Sequence, residues 1–217
     1  MTWKVDLKHE FTLRDAGLSL IAGLDEAGRG AWAGPVVAGA VILPLDRFDL
    51  AHALEGVNDS KQLSPELREA LLPRIMEVAL AVGVGCGTHS EIDDFGIVPA
   101  TRLAMQRALA ALSIQPDALL TDAMPLPQTG LPCTPLIKGD QRSLSIAAAS
   151  IVAKVTRDRF MAELDELFPQ YGFRIHKGYG TLLHQQALRH FGASAIHRLT
   201  FAPLRELSPI LTEDGGG

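Results

Sequence analysis

Apolar positions come first in two short runs, Leu18 to Leu24 and Val36 to Leu43, each rich in β-branched or small side chains and bounded by turn formers. Runs of that length and composition predict buried strands. Asp25 and Glu26 break the apolar pattern between them, and strand, acidic turn, strand predicts an antiparallel hairpin with its carboxylates near the mouth. Ser64-Pro65-Glu66 then supplies an N-cap, a proline at the first helical position and an acid in the first turn, which predicts a helix to about Ala79. Leu80 to Gly87 alternates glycine with valine and predicts a third strand, while Ser90 to Phe95 predicts a short acidic turn or helix. From Pro99 to Leu112 the apolar side chains Leu103, Met105, Ala108, Leu109 and Leu112 keep a helical period.

Ala118-Leu119-Leu120-Thr121 predicts a short buried strand that ends in Asp122. The proline-rich segment Pro125 to Pro135 predicts a connection, with Leu136 and Ile137 bordering a further short strand. Leu144 to Phe168 predicts a long alanine-rich helix, whose Ala147-Ala148-Ala149 suits close packing on a sheet. Tyr171 to Gly180 predicts a glycine-punctuated loop, and Leu182 to Phe191 an amphipathic helix. Strands gathered early and helices late predict an α/β domain with a mixed sheet and a helical C-terminal extension. The expected division is an N-terminal segment over 1–17, one catalytic unit over 18–204 and a flexible tail over 205–217.

With 217 residues, 47% apolar and 21% charged, the chain fits one ordinary globular domain. Its most apolar run, Ala31 to Leu45, is too short to span a bilayer and contains Pro35 and Pro44. MTWKVDLKHE lacks the continuous apolar stretch of a signal peptide, so no membrane association and cytoplasmic residence are expected. Cys86 and Cys133 show no metal or redox spacing and are expected to be reduced and structural. The net charge of −5 is unevenly placed: Lys138 to Arg198 holds nine Lys/Arg against five Asp/Glu, a local balance of +4 that leaves −9 elsewhere. This suits a cationic face for a polyanion opposite an acidic pocket, the plainer alternative being a mixed-charge helical surface. His176, His184, His190 and His197 are expected at the surface or in structural roles, because hard cations prefer oxygen ligands.

The candidate chemistry sits at the acids. Gly28-Arg29-Gly30-Ala31-Trp32-Ala33 fits a loose dinucleotide-binding fingerprint with Asp46 at a plausible distance, but the fingerprint needs a helix there and the sequence predicts a strand. Hydrolysing a phosphodiester requires a positioned water, charge neutralisation and support for the departing alkoxide, which two divalent ions roughly 3.5–4 Å apart can supply. Carboxylates from several strand ends would hold them. Asp25, Glu26, Asp122 and Asp140 have that placement, although Asp140 in Lys-Gly-Asp equally suits a tight turn.

DEAGRG at Asp25 to Gly30, AGPVVAGAV at Ala33 to Val41, DSKQLS at Asp59 to Ser64, KGD at Lys138 to Asp140, IAAASIVAKVTRD at Ile146 to Asp158, HKGYGT at His176 to Thr181 and IHRLTFAPL at Ile196 to Leu204 closely resemble bacterial ribonuclease HII, of the type 2 ribonuclease H family. The resemblance runs in order over nearly the whole chain. It implies a ribonuclease H-like fold, a mixed central β-sheet flanked by helices with a helical C-terminal extension, and an endonuclease using Mg²⁺ or Mn²⁺. Its substrates would be RNA/DNA hybrid and ribonucleotide-containing duplex DNA. By position, Asp25, Glu26, Asp122 and Asp140 would be catalytic acids and metal ligands. Gly28, Arg29 and Gly30 would cradle the backbone, Ser60 and Lys61 would contact phosphate, and Tyr179 would sit beside the sugar.

Ala123-Met124 stands where many members have Gly-Asn, which removes any contact of that amide side chain. ILTEDGGG has no clamp-binding pattern, so a monomer without clamp docking is expected, and the additional N-terminal domain of type III enzymes needs more chain than precedes Leu18. Other readings of the same residues are a different metal-dependent phosphate-ester hydrolase, which would need no basic face, and a non-catalytic hybrid-binding protein, which would have no use for four clustered acids.

Overall fold

The computed structural model describes residues 5–207. Five strands form one sheet: β1 Ile21–Ala27, β2 Val36–Ile42, β3 Ala81–Gly87, β4 Ala118–Asp122 and β5 Cys133–Leu136, in the order β3-β2-β1-β4-β5. β1 pairs antiparallel with β2, as the hairpin pattern predicted, and β2 antiparallel with β3, whereas β4 and β5 run parallel to β1. The helices are α1 Lys8–Asp15, α2 Leu50–Ala53, α3 Pro65–Val78, α4 His89–Phe95, α5 Ile97–Ala110, α6 Leu144–Leu167, α7 Phe173–His176, α8 Leu182–Phe191 and α9 Leu204–Leu207. None is long and apolar enough to cross a membrane.

Each face of the sheet is covered by a helix brought unusually close. α6 lies on β1 and β2, where a Cβ on Gly23 would collide with the backbone of Ser145 and one on Gly39 would come 2.5 Å from the carbonyl of Ala149. Ala147, Ala148 and Ala149 are fully buried there. On the opposite face Gly83, Gly85 and Gly87 of β3 admit the backbone of α5 at Ala108, Ala104 and Ala100. The alternating glycines of the third strand are thus a groove for a helix, and the alanines of α5 at every fourth position fill it.

Ser64, Ser143 and Thr181 cap α3, α6 and α8 by accepting from backbone N–H groups in the first turn. Two segments differ from the pattern-based expectation. The proline-rich connection ends as strand rather than loop, because β5 is an edge strand and Pro135 can sit in it without breaking a central ladder. The glycine-punctuated stretch after Tyr171 contains the single turn α7, packed by buried Phe173.

The hydrophobic pattern did not signal α1, yet it is anchored through Glu10, a fully buried acid. Its carboxylate accepts from Ser143 Oγ at 2.7 Å and Ser145 N at 2.9 Å, and Leu144 N donates to the carbonyl of Asp6. A negative group therefore sits at the N-terminus of α6, where the helix dipole favours it.

α7, α8 and the following chain form a separate small core with Trp32, Ala33 and Met161. Three of the four late histidines lie inside it: His176 stacks on His184 at 4.4 Å between ring centres, and His184 Nε2 meets His197 Nε2 at 2.9 Å. His190 is exposed. Burial, with the neighbouring imidazoles, pushes His184 and His197 down to about 4. The unfolded chain takes up these protons near pH 6.5 and the folded chain only near 4, so the stability of this core is complete above pH 6.5 and lost as pH falls through that window. Urea midpoints measured from pH 7 to 4.5 should fall, and His197→Phe should make the fall shallower; equal slopes for the two chains would show that the cluster does not titrate on unfolding.

Candidate active site

Sheet topology alone brings the first two acids together. β1 and β4 are parallel neighbours with Leu24 opposite Thr121, so Asp25 and Asp122 follow one step later on adjacent strands and face the same side. Strand alternation places Asp25 with Gly23 on the α6 face and turns Glu26 to the other. Asp140 arrives from a single 3-10 turn, Gly139–Gln141, immediately before α6. Gly139 N donates to Asp122 Oδ1 at 2.8 Å, and a Cβ on Gly139 would press on Ile146 and Leu136, so glycine permits that approach. One carboxylate oxygen from each of Asp25, Asp122 and Asp140 lies within 4.8 Å of the others.

Glu26 stands beside this group rather than in it. Its Oε1 accepts from Arg29 Nη1 at 3.0 Å, and its Oε2 is buried with no protein partner. Burial, followed by the charges of Glu26 and Asp122, holds the Asp25 carboxyl well above the ordinary carboxylate range. Burial and then Asp122 push Asp140 up as well. A buried oxygen without a donor and an all-carboxylate donor set with raised proton affinity fit a hard divalent cation.

Lys61 reaches this cluster from the 3-10 turn Ser60–Gln62, placing Nζ 3.3 Å from Asp140 Oδ2 with most of its side chain exposed. Burial opposes its charge, but the carboxylates of Asp25, Asp140 and Asp59 outweigh that and raise its affinity for a proton. Ser60 is buried and donates its N–H to Ser150 Oγ. Asp59 was not singled out from the sequence. Its carboxylate accepts from Lys61 N, Gln62 Nε2 and Gln141 Nε2, tying the turn that carries Lys61 to the turn that carries Asp140.

The chain leaving β1 forms the connection to β2 over residues 28–35. Gly28 has φ +94°, and a Cβ there would collide with the guanidinium of Arg157. Arg29 and Gly30 are exposed, and a Cβ on Gly30 would meet nothing. Tyr179 is at the surface, with Arg157 Cζ 5.4 Å and Lys154 Nζ 5.8 Å from its ring centre. Arg157 and Arg198, counted with the basic stretch, do not contribute to an outward cationic face: both are fully buried and hydrogen-bonded to backbone carbonyls. Ala123 takes φ +54°, a conformation that costs a residue with a Cβ about 1–2 kcal/mol.

The family model for ribonuclease HII matches residues 22–204. The chain is 55% identical over 201 residues to ribonuclease HII of Chloroflexus aurantiacus, covering 93% of this chain and 95% of that one. It is 54% identical over 204 residues to ribonuclease HII of Geobacillus thermodenitrificans, covering 94% and 76%. Among solved structures, the ribonuclease H2 of Pyrococcus horikoshii OT3 matches with a TM-score of 0.75 at 28% identity, over 90% of this chain and 100% of that one.

The raised carboxyl of Asp25 carries a sign. A carboxylate whose proton affinity is higher folded than unfolded costs stability at neutral pH, so Asp25→Asn should raise the melting temperature in chelator, by about 2–4 °C for each kcal/mol relieved. Mn²⁺ should stabilise the parent chain through native-state binding and fail to stabilise the variant. Melting of the variant below the parent in chelator would contradict the cost of holding a buried charge there beside Glu26 and Asp122.

Proposed function

The chain belongs to the ribonuclease HII family of metal-dependent endonucleases acting on RNA/DNA hybrids, and we propose that it also incises duplex DNA on the 5′ side of a single embedded ribonucleotide. The observation that carries the reading is the meeting of Asp25 and Asp122, from adjacent parallel strands, with Asp140, from the turn before α6, within 4.8 Å of one another. Asp25, Asp122 and Asp140, with Glu26 beside them, would hold Mg²⁺ or Mn²⁺. Bound there, such ions neutralise phosphoryl oxygens, acidify an attacking water and stabilise the leaving alkoxide.

The chain's own groups supply the rest. Lys61 extends from a fixed turn into solvent beside Asp140, where its ammonium can meet a phosphate oxygen. Arg29 and Gly30 present backbone at the surface, and the bare Cα of Gly30 lets a sugar come close. Telling RNA from DNA at one position means sensing the 2′-hydroxyl, which donates and accepts hydrogen bonds. Tyr179 offers a hydroxyl for it and a ring to pack on the neighbouring deoxyribose. Water forms the new bond to phosphorus as the bond to the upstream 3′-oxygen breaks, leaving a 3′-hydroxyl and a 5′-phosphate on the ribonucleotide. Residues 18–204 would form the catalytic unit of a cytoplasmic monomer; the tail ILTEDGGG, inspected for a clamp-binding pattern, is residues 210–217 and lies outside the described residues.

A labelled duplex with one internal ribonucleotide should be cut with Mg²⁺ or Mn²⁺ and left intact in excess chelator. A 2′,3′-cyclic phosphate product would refute water as the nucleophile, and metal-dependent cleavage of small phosphate esters alone would favour a general phosphatase. Binding of the duplex without cleavage in any metal would favour a non-catalytic module.

Gly30→Ala separates recognition from folding. Its Cβ meets no protein atom, so the melting temperature should be unchanged while KM for the single-ribonucleotide duplex rises about tenfold, from roughly one lost close hydrogen bond. A normal KM would remove Gly30 from the substrate surface.

A further inference from the structure

Arg198 lies far along the chain from the acids and has no ion pair with any of them, yet all three of its guanidinium hydrogen bonds go to one short stretch of backbone. Nε donates to the carbonyl of Gly34 at 3.0 Å, Nη1 to that of Arg29 at 2.9 Å and Nη2 to that of Gly28 at 2.8 Å. The side chain is fully buried, and no carboxylate pairs with it among the described residues. A buried cation held by three carbonyl dipoles and the ring of Phe201, 5.2 Å from its Cζ, next to a second buried guanidinium, is a costly arrangement.

The planar trans peptide shows what it accomplishes. The C=O of one residue and the N–H of the next point in opposite directions across a single rigid plane. Drawing the carbonyls of Gly28 and Arg29 inward onto Arg198 therefore turns the N–H groups of Arg29 and Gly30 outward. Those two residues are exposed, whereas Gly28 is buried. The segment bearing Arg198 is itself fastened: Asp93 accepts from Leu199 N at 2.9 Å, Thr200 N at 3.0 Å and Thr200 Oγ1 at 2.6 Å, and Arg198 N donates to the carbonyl of Trp32.

We propose that Arg198 is a positioning residue for ribose recognition, fixing two peptide planes so that the N–H groups of Arg29 and Gly30 form a donor pair aimed at the 2′-hydroxyl side of the substrate. A lysine cannot replace it, since one ammonium lacks the planar fork that spans three carbonyls. The inference rests on the preceding reading of the substrate.

The test measures binding in an Asp25→Asn background without metal, comparing a duplex carrying one ribonucleotide with the all-deoxy duplex of the same sequence. If the background protein shows no preference, the substrate reading fails and this inference with it. Given a preference, Arg198→Lys should reduce it about tenfold, the equivalent of losing one or two aligned hydrogen bonds, while affinity for the all-deoxy duplex stays close to the parent. Leu188→Ala, which loosens the same C-terminal core and removes no side-chain hydrogen bond to residues 28–34, should keep the preference. Retention of the full preference by Arg198→Lys, or an equal loss in Leu188→Ala, would overturn the positioning role. Should Arg198→Lys not fold, Asp93→Ala carries the comparison, because it releases the Arg198 segment and leaves the guanidinium intact; an undiminished preference there overturns the inference too.

Discussion

Like charges do not gather unless something stiffer than their repulsion holds them. Three carboxylates within 4.8 Å, two of them well buried, demand a frame that cannot relax outward, and the rest of the molecule is built as that frame. Two acids come from adjacent parallel strands whose register is fixed over four paired positions. The sheet cannot splay because helices press on both faces at backbone distance, through Gly23 and Gly39 on one side and Gly83, Gly85 and Gly87 on the other. Missing side chains here mean rigidity, since opposed backbones leave nothing to rotate.

The third acid has no strand to hold it, and its turn is braced from outside. Gly139 hangs from Asp122, Gln141 from Asp59, and the α6 terminus just beyond is held by Glu10 and by the backbone of Asp6. Glu10 and Asp59 thus serve the site without belonging to it. The same division recurs at the loop after β1, where the buried guanidiniums of Arg157 and Arg198 bind carbonyls of residues 28, 29, 33, 34 and 35.

Much of this was legible in the sequence because it is local. The hairpin, the strand of alternating glycines, the cap at Ser64 and the long alanine-rich helix follow from periodicity and composition, and Asp122 showed itself as an acid ending a buried strand. What escaped depends on contacts between distant positions. α1 has little apolar periodicity and is held by one buried acid; the strand containing Pro135 is permitted only by its place at the sheet edge. Counting charges placed Arg157 and Arg198 on a surface they do not reach, because a count along the chain does not distinguish a solvated guanidinium from one spent on carbonyls. The motif resemblance filled part of that gap by naming Asp140, which pattern alone could not separate from an ordinary turn.

The long reach from Arg198 back to Gly28 also sets an order of events during synthesis. A growing chain emerges from its N-terminus, so Asp25, Asp122 and Asp140 all leave the ribosome while the side chain that orients the adjoining loop is still to be made. The hairpin can form early, but its exposed peptide planes stay free to turn until the segment after α8 docks against Trp32 and Asp93. Completion of the loop after β1 is thereby tied to completion of the polypeptide, and a truncated product that ends before residue 198 keeps its acids but lacks the guanidinium that holds the carbonyls of Gly28, Arg29 and Gly34.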